Sequence, residues 1–475
     1  GDPSIGAMEA LQSLVADQDI EPRQIQNLIH GTTLVANALI ERKGSKTALV
    51  TTKGFKDVLE IRRERRFDMY DIFIDMPPPL VPRSLRKEVN ERMGENGGVL
   101  VPFDRAEAEA VVRSLKDEHI EAIAVCFLHS FRNGTHEKSM RSVIESLAPD
   151  LYISLSVEVM PEIREYERMS TTVANAYAQP LMKRYLDEFD GKLQRAGFEG
   201  NFFVMLSNGG ITTRDVAARF PIRVVESGPA AGAIVAAHYG RVMGEEKVVS
   251  FDMGGTTAKI ALIEGGTPWV ATDFEVARVY RFKKGSGLPV KLPVIEMVEI
   301  GAGGGSITKI DEIGLLKVGP ESAGADPGPA CYDLGGDKPT VTDADLVLGY
   351  LNADYFLGGE MPLNREKAYR AIKTKIGDPL GISVEKAAWG IHQVVDENMA
   401  NAAKVHIVEK GEDPKAYSLI AFGGAGPVHA YWVAEKLRAG KIICPPSAGV
   451  ASAGGFLLVP ISFNYVRTLI TRLDH

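Results

Sequence analysis

The chain has 475 residues, 45% of them hydrophobic and 24% charged, a composition that accommodates about two to four folded domains and excludes a disordered or fibrous chain. Its 54 basic residues against 62 acidic ones leave a formal net charge of -8, which gives no footing for a nucleic-acid or acidic-membrane partner. Cys126, Cys331 and Cys444 are far apart and form no Cys-x-x-Cys pair, so buried inert thiols and a reducing cytoplasm are expected rather than disulfides or zinc. No apolar run reaches the roughly 20 residues a membrane-spanning helix needs, and the N-terminus has no signal pattern.

The chain opens on "GDPSIGAMEAL" without an initiator Met, in what reads as the first turns of a helix, so its true beginning is expected to lie upstream. Strand-like and helix-like stretches then alternate: "TALVTT" (strand), "KGFKDVLEIRRER" (helix), "DRAEAEAVVRSLKDE" (helix), "EAIAVCFL" (strand), "GTHEKSMRSVIESL" (helix) and "LYISLSVEV" (strand). This rhythm predicts a layered α/β domain. The basic cluster Arg62 to Arg66 reads as a solvated or salt-bridged helix face. Three consecutive prolines in "FIDMPPPLVPR" exclude helix and central strand.

From Glu162 the pattern turns helical, and Pro180 should start a new helix or kink that one. A domain boundary is placed near there. Next come "NFFVMLS" (strand), "NGGIT" (turn), "ESGPAAGAIVAAHYG" (turn, then helix) and a β-rich stretch from Lys247 to about Val318. A long helix should run through "VEKAAWGIHQVVDENMANAAKVHIVEKG" and stop at Gly411. "YSLIAF" (strand), "GGAGPVHAYWVAEKLRAG" (turn, helix) and "KIICP" (strand) follow.

Glycine-rich turns carry the chemistry: "NGGI", "SGPAAG", "DMGGTTAK", "GAGGGS" and "FGGAGPVH". In "VVSFDMGGTTAKIALIEG" the strand residues flank Gly-Gly-Thr-Thr. They predict a hairpin whose tip offers backbone N–H groups and hydroxyls to a phosphate, with Asp252 placed to hold Mg²⁺. "FGGAG" feeds a helix N-terminus, which suits a nucleotide. "SGPAAG" is as well explained by tight helix packing. There is no Gly-x-x-x-x-Gly-Lys phosphate loop and no Gly-x-Ser-x-Gly elbow. His406 and His429, single residues, read as structural rather than metal ligands.

Together with "HGTTLVANALIERKG", "PEIREYERMSTTVANAY" and "SAGADPGPACYDLGGDKPTVTDADLVLGYL", these motifs resemble the hydantoinase A/oxoprolinase family over nearly the whole chain. The resemblance implies an actin-like ATPase (ribonuclease H-like) α/β fold with two lobes around a nucleotide cleft. Residues 1–165 would form the N-terminal domain and 166–475 the ATPase core. It also implies ATP and Mg²⁺ as cofactors and a hydantoinase B-type subunit or domain as partner.

The implied reaction is ATP-dependent phosphorylation of a carbonyl oxygen, for hydrolysis of a cyclic amide such as a hydantoin, 5-oxoproline or a lactam. The alternatives are a subunit of an acetone/acetophenone-type ketone carboxylase, a non-catalytic structural paralogue, or a sugar-kinase-like enzyme.

Carried onto this sequence, Asp252, Thr256 and Lys259 are the candidate catalytic residues, with Asp252 also the metal ligand. Gly254, Gly255, Thr256, Thr257, Gly423, Gly424 and Gly426 are the candidate nucleotide contacts. His30 and Asn37, in and beside "HGTT", are placed by analogy near the cleft, Asp343 and Asp345 near the metal or substrate. Glu162, Glu165 and Glu167 are weighed as general base. The family's opening Asp-x-Gly-Gly-Thr hairpin and C-terminal region are absent here, so the residues read as part of a longer polypeptide or as a subunit lacking half its phosphate grip. Lys259 stands where many relatives have Asp.

Overall fold

The computed structural model describes residues 3–64, 66–280 and 284–471. Gly1 and Asp2 of the opening segment, Arg65 of the basic cluster and residues 472–475 of the closing "TRLDH" lie outside them. The chain divides into two compact units, each assembled from separated segments. Gly1–Gly228, Ala271–Val294 and Pro460–His475 make the first, and Pro229–Val270 with Ile295–Val459 make the second. Residues 166–228 therefore pack in the first unit.

The first unit is built on a four-stranded parallel sheet in the order Arg86–Val89, Thr47–Thr52, Ala122–Cys126, Tyr152–Leu155. Every residue of the Thr47–Thr52 and Ala122–Cys126 strands is buried, as expected of parallel strands covered on both faces. Val112 and Leu115 from helix Arg105–Lys116, Met140 and Ile144 from helix Thr135–Leu147, and Met169 and Val173 complete that core. A smaller sheet pairs Asn27–His30 parallel to Asn201–Met205, which in turn runs antiparallel to Ile211–Thr213.

Expectations are corrected at four points in this unit. The helix expected through "KGFKDVLEIRRER" is only Val58–Ile61, closed by Arg62 at φ +59°. The basic cluster is thus not a helix face: Arg62 donates to the Pro77 carbonyl and Arg63 pairs with Glu167. "LYISLSVEV" is a strand only to Leu155, after which Ser156–Val159 is helical. Of the two outcomes expected at Pro180, a new helix is excluded, because the residue lies inside one 31-residue helix, Glu165–Arg195.

The second unit has a six-stranded mixed sheet, ordered Thr267–Pro268, Ala258–Glu264, Lys247–Met253, Ser418–Phe422, Ile442–Ile443, with Met297–Ile300 also pairing Ala258–Glu264. Lys247–Met253 is antiparallel to Ala258–Glu264 and parallel to Ser418–Phe422. Val249, Phe251 and Leu419 of this sheet pack with Ile391, Val395 and Met399 of helix Val384–Glu409 and with Val433 of helix Gly426–Leu437. The long helix stops where expected, with Gly411 at φ +78°.

"GAGGGS" leads into a second antiparallel hairpin, Ser306–Ile310 with Leu316–Ser322. "SGPAAG" is no turn, because helix Ser227–Val242 begins at Ser227 itself. Its small residues are set by packing: a Cβ on Gly455 would stand 2.1 Å from the Ala231 carbonyl oxygen. Cys126 and Cys331 are buried as expected, while Cys444 is exposed.

Candidate functional site

Val248 through Phe251 alternate with their partners in a regular ladder, and the ladder ends at Met253↔Ala258, so Gly254–Thr257 form the turn. The Gly254 N–H donates to the Thr257 carbonyl at 3.0 Å. Gly255 and Thr256 are exposed at the tip, whereas Asp252 is half-buried at its base.

Two other glycine loops are laced to this tip through backbone. Gly304 N–H donates to the Gly254 carbonyl at 3.0 Å and Gly305 N–H to the Gly255 carbonyl at 2.6 Å. Ala425 N–H donates to the Met253 carbonyl at 2.9 Å. The approach is close enough to require glycine: a Cβ on Gly303 would lie 2.6 Å from Gly255 backbone carbon. Asp252, Gly254, Gly255, Gly423, Gly424 and Gly426 are thereby gathered where the two inner parallel strands Lys247–Met253 and Ser418–Phe422 end.

Asp252 Oδ2 accepts a hydrogen bond from Ser452 Oγ at 2.9 Å. Lys259 is its in-register partner across the hairpin, so the two side chains share one face of the sheet. Burial raises the Asp252 carboxyl above the usual range, opposed by the Ser452 hydrogen bond and the Lys259 charge.

The other candidates are engaged elsewhere. Asp343 caps helix Val341–Val347, accepting from the backbone N–H groups of Ala330, Cys331 and Thr340 and from the Thr340 hydroxyl. These bonds engage both its oxygens in holding the local backbone. Asp345 contacts His392 and His429 rather than Asp252.

Glu167 is buried against Arg63, and Glu162 pairs with Lys291 at 2.5 Å beside a small cavity also lined by Asn208 and Arg223. His30 Nε2 lies 2.8 Å from the Tyr185 hydroxyl, and burial lowers its pKa to about 4. Asn37 is exposed and donates to Thr33 Oγ1.

Sequence reasoning missed His392 and Asp396. They are four residues apart on one helix, and with Asp345 and His429 they make a buried four-membered cluster. Their i, i+4 spacing was the available signal.

A family model described as Hydantoinase/oxoprolinase matches residues 168–464, and one described as Hydantoinase/oxoprolinase N-terminal region matches residues 1–148. The chain belongs to the hydantoinase/oxoprolinase family. It is 42% identical to an uncharacterized protein of Methanocaldococcus jannaschii, over 99% of this chain and 69% of that protein. It is 38% identical to the caprolactamase subunit alpha of Pseudomonas jessenii, over 97% of this chain and 64% of the relative. Against the acetophenone carboxylase gamma subunit of Aromatoleum aromaticum the identity is 36%, over 98% of this chain and 64% of the relative.

Among solved structures, the ATP-dependent caprolactamase of Pseudomonas jessenii superposes with a TM-score of 0.85 at 36% identity, covering 96% of this chain and 65% of that one. Nucleotide-free acetone carboxylase gives 0.77 at 30% identity, with the same coverage of 96% and 65%. The chain spans about two thirds of the length of these relatives. The mixed α/β fold is shared with them. No helix among the described residues is long and apolar enough to cross a membrane.

Proposed function

We propose that this chain binds ATP and Mg²⁺ at the three laced glycine loops and, with a hydantoinase B-type partner, activates the carbonyl oxygen of a cyclic amide for hydrolysis. The fold is then of the actin-like ATPase class. The observation that carries the reading is the lacing itself: loop Gly303–Gly305 and loop Gly423–Gly426 are each tied by backbone hydrogen bonds to the hairpin end Met253–Thr257, with Asp252 at its base.

The residues fit such a ligand. Nothing lies within 4 Å of a Cβ built on Gly255 or Gly424, so both backbones face open space. Ser452 occupies Asp252 Oδ2, and no hydrogen bond among the described residues falls on Oδ1. Helix Gly426–Leu437 begins at its loop with Pro427 in the first turn, directing its positive end to that region.

Bound ATP would supply the phosphoryl group. The chain's own part is positioning and charge neutralisation: Asp252 would hold the metal, the backbone N–H groups of Gly255 to Thr257 and the hydroxyls of Thr256 and Thr257 would take phosphate oxygens, and Gly423, Gly424 and Gly426 would admit the nucleoside. Lys259, on the same face as Asp252, supplies a phosphate counter-charge. A second reading, a subunit of a ketone carboxylase, agrees with the acetophenone carboxylase and acetone carboxylase relatives. Either reading agrees with the names of the relatives, and three free cysteines fit a cytoplasmic setting.

The test is calorimetry of Mg·ATP on the wild-type chain and on Asp252→Asn, followed by ATP turnover with the companion subunit and a panel of lactams, hydantoins, 5-oxoproline and ketones. Saturable binding lost in the variant, with turnover coupled to one substrate, supports the reading and chooses the branch. Binding without turnover on any substrate leaves a structural paralogue, and no binding sinks the proposal.

A further inference from the structure

Asp345, His392, Asp396 and His429 come from three helices, Val341–Val347, Val384–Glu409 and Gly426–Leu437, and none is more than 3% exposed at its side chain. The Asp345 carboxylate faces one nitrogen of each histidine: Oδ1 is 2.9 Å from His392 Nδ1 and Oδ2 is 3.2 Å from His429 Nε2. Asp396 faces the other nitrogen of each, at 2.7 Å from His429 Nδ1 and 3.2 Å from His392 Nε2. The two imidazoles lie between these carboxylates with centroids 4.6 Å apart and planes inclined by 22°.

Four buried groups of this kind need their charge balanced. With both histidines neutral, two carboxylates would sit uncompensated in the core, an expensive state. Either two protons or one divalent cation restores neutrality.

The proton solution makes both rings imidazolium, and places two like charges face to face at 4.6 Å in the protein interior. The cation solution leaves both rings neutral. One donor atom from each of Asp345, His392 and His429 lies within 4.8 Å of the other two. The separations of 2.9 and 3.2 Å between the Asp345 oxygens and the two nitrogens match neighbouring ligands on one ion with bonds of about 2.0–2.2 Å.

We propose that Asp345, His392 and His429 bind a divalent transition-metal ion, with Asp396 behind them accepting the far N–H of His429 and lying 3.2 Å from the far nitrogen of His392. Two nitrogens and a carboxylate offering two oxygens make four donors, a set that selects zinc and its d-block neighbours over Mg²⁺ or Ca²⁺, which prefer all-oxygen ligands. Asp396 then does what a carboxylate behind a metal-bound histidine does: it fixes the tautomer and turns the coordinating nitrogen inward. The enclosure marks the ion as structural, since no face of the cluster is open to a substrate. It fastens together the helices on which two glycine loops are rooted. His429 lies three residues into the helix that starts at Gly426, and Thr342, beside Asp345, donates its N–H to the Gly304 carbonyl. This site is separate from Asp252 and does not depend on nucleotide binding.

The experiment uses the tag-free chain, expressed with zinc, manganese, iron and cobalt in the medium, and measures bound metal by mass spectrometry after dialysis against EDTA. About one equivalent of a transition ion is expected per folded chain, released on unfolding. Refolding in EDTA should fail or give a chain of lower Tm, restored by zinc, and refolding with Co²⁺ should give the visible absorption of a four-coordinate nitrogen–oxygen site. Asp252→Asn should keep the full equivalent, while His392→Gln and His429→Gln should lose it. Should those two variants not fold, the wild-type metal content and refolding decide alone. Less than about a tenth of an equivalent, with refolding indifferent to EDTA and no cobalt absorption, overturns the site and leaves shared protons holding the cluster.

Discussion

Gly423 sits so close to Asp252 that a Cβ built on it would stand 2.5 Å from the carboxylate Oδ1 and 2.5 Å from the Met253 carbonyl oxygen. Its φ of +86° adds a conformation that side chains resist. Gly423→Ala should therefore destabilise the second unit by roughly 1–3 kcal/mol and displace Asp252. Gly424→Ala, with nothing within 4 Å of its Cβ, should leave the denaturation midpoint within about 0.5 kcal/mol of wild type while weakening nucleotide binding. Equal stability losses in the two variants would contradict this geometry.

Asp252→Asn should fold normally, because the Ser452 hydroxyl can still donate to the amide oxygen, and should lose about 10- to 100-fold in Mg·ATP affinity. The carboxyl is raised by burial, against Ser452 and Lys259. Binding, which needs the carboxylate, should accordingly weaken on acidification sooner than an ordinary aspartate would dictate. Stability runs the other way. A carboxyl raised in the folded state contributes stability at low pH that is lost as pH rises through the folded value. Titrating affinity by calorimetry and stability by urea midpoints should show the two opposite slopes.

Arg168 is fully buried, donating to the Phe127 carbonyl and to the hydroxyls of Ser130 and Ser156, with Glu137 Oε1 at 3.9 Å. Glu137 is in turn held by the N–H groups of Phe127 and Val157 and by Ser156. Arg168→Met leaves that carboxylate buried without its cation and should cost about 3–5 kcal/mol. Adding Glu137→Gln should recover part of the loss, and a double-mutant cycle in urea measures how much. Strict additivity would mean that the pair does not interact.

His30 packs among Tyr185, Phe189 and Phe202, and burial lowers its pKa from 6.5 to about 4. The unfolded chain binds this proton first, so stability is complete above about pH 6.5 and declines as pH falls toward 4. At about 1.4 kcal/mol per unit the total approaches roughly 3 kcal/mol. His30→Phe should remove that slope between pH 6.5 and 4, and an unchanged slope would assign the acid sensitivity elsewhere.

What the sequence disclosed was local. The Asp252–Lys259 hairpin was legible because two glycines and two threonines interrupt two apolar runs, and the strand "TALVTT" and the helix to Gly411 follow equally short-range rules. In "SGPAAG" the Gly and Pro signalled a turn where a helix in fact begins, while the tight packing expected of its small residues is present, Gly455 having no room for a Cβ beside Ala231. The helix through "KGFKDVLEIRRER" was overdrawn because nothing nearby announces that Arg62 takes positive φ. The Asp345, His392, Asp396 and His429 cluster was missed for another reason. Only the His392 and Asp396 spacing on one helix hinted at it, and only tertiary packing brings ligand atoms of residues 345, 392 and 429 to within 4.8 Å.

The segmentation of the two units bears on how the chain is made. A ribosome delivers residues 1–228 of the first unit early, then most of the second, and only afterwards the stretch beginning at Pro460. That late stretch has a place waiting: Ile461 bridges to Ile211, Ser462 N–H donates to the Ile211 carbonyl, and Asn464 accepts from Asn208. The first unit's edge at Ile211 thus stays open during synthesis for the time it takes to add some 230 residues. Nascent chains arrested before Pro460 should be nicked by protease near Asn208 to Thr213, and chains released after it should be protected.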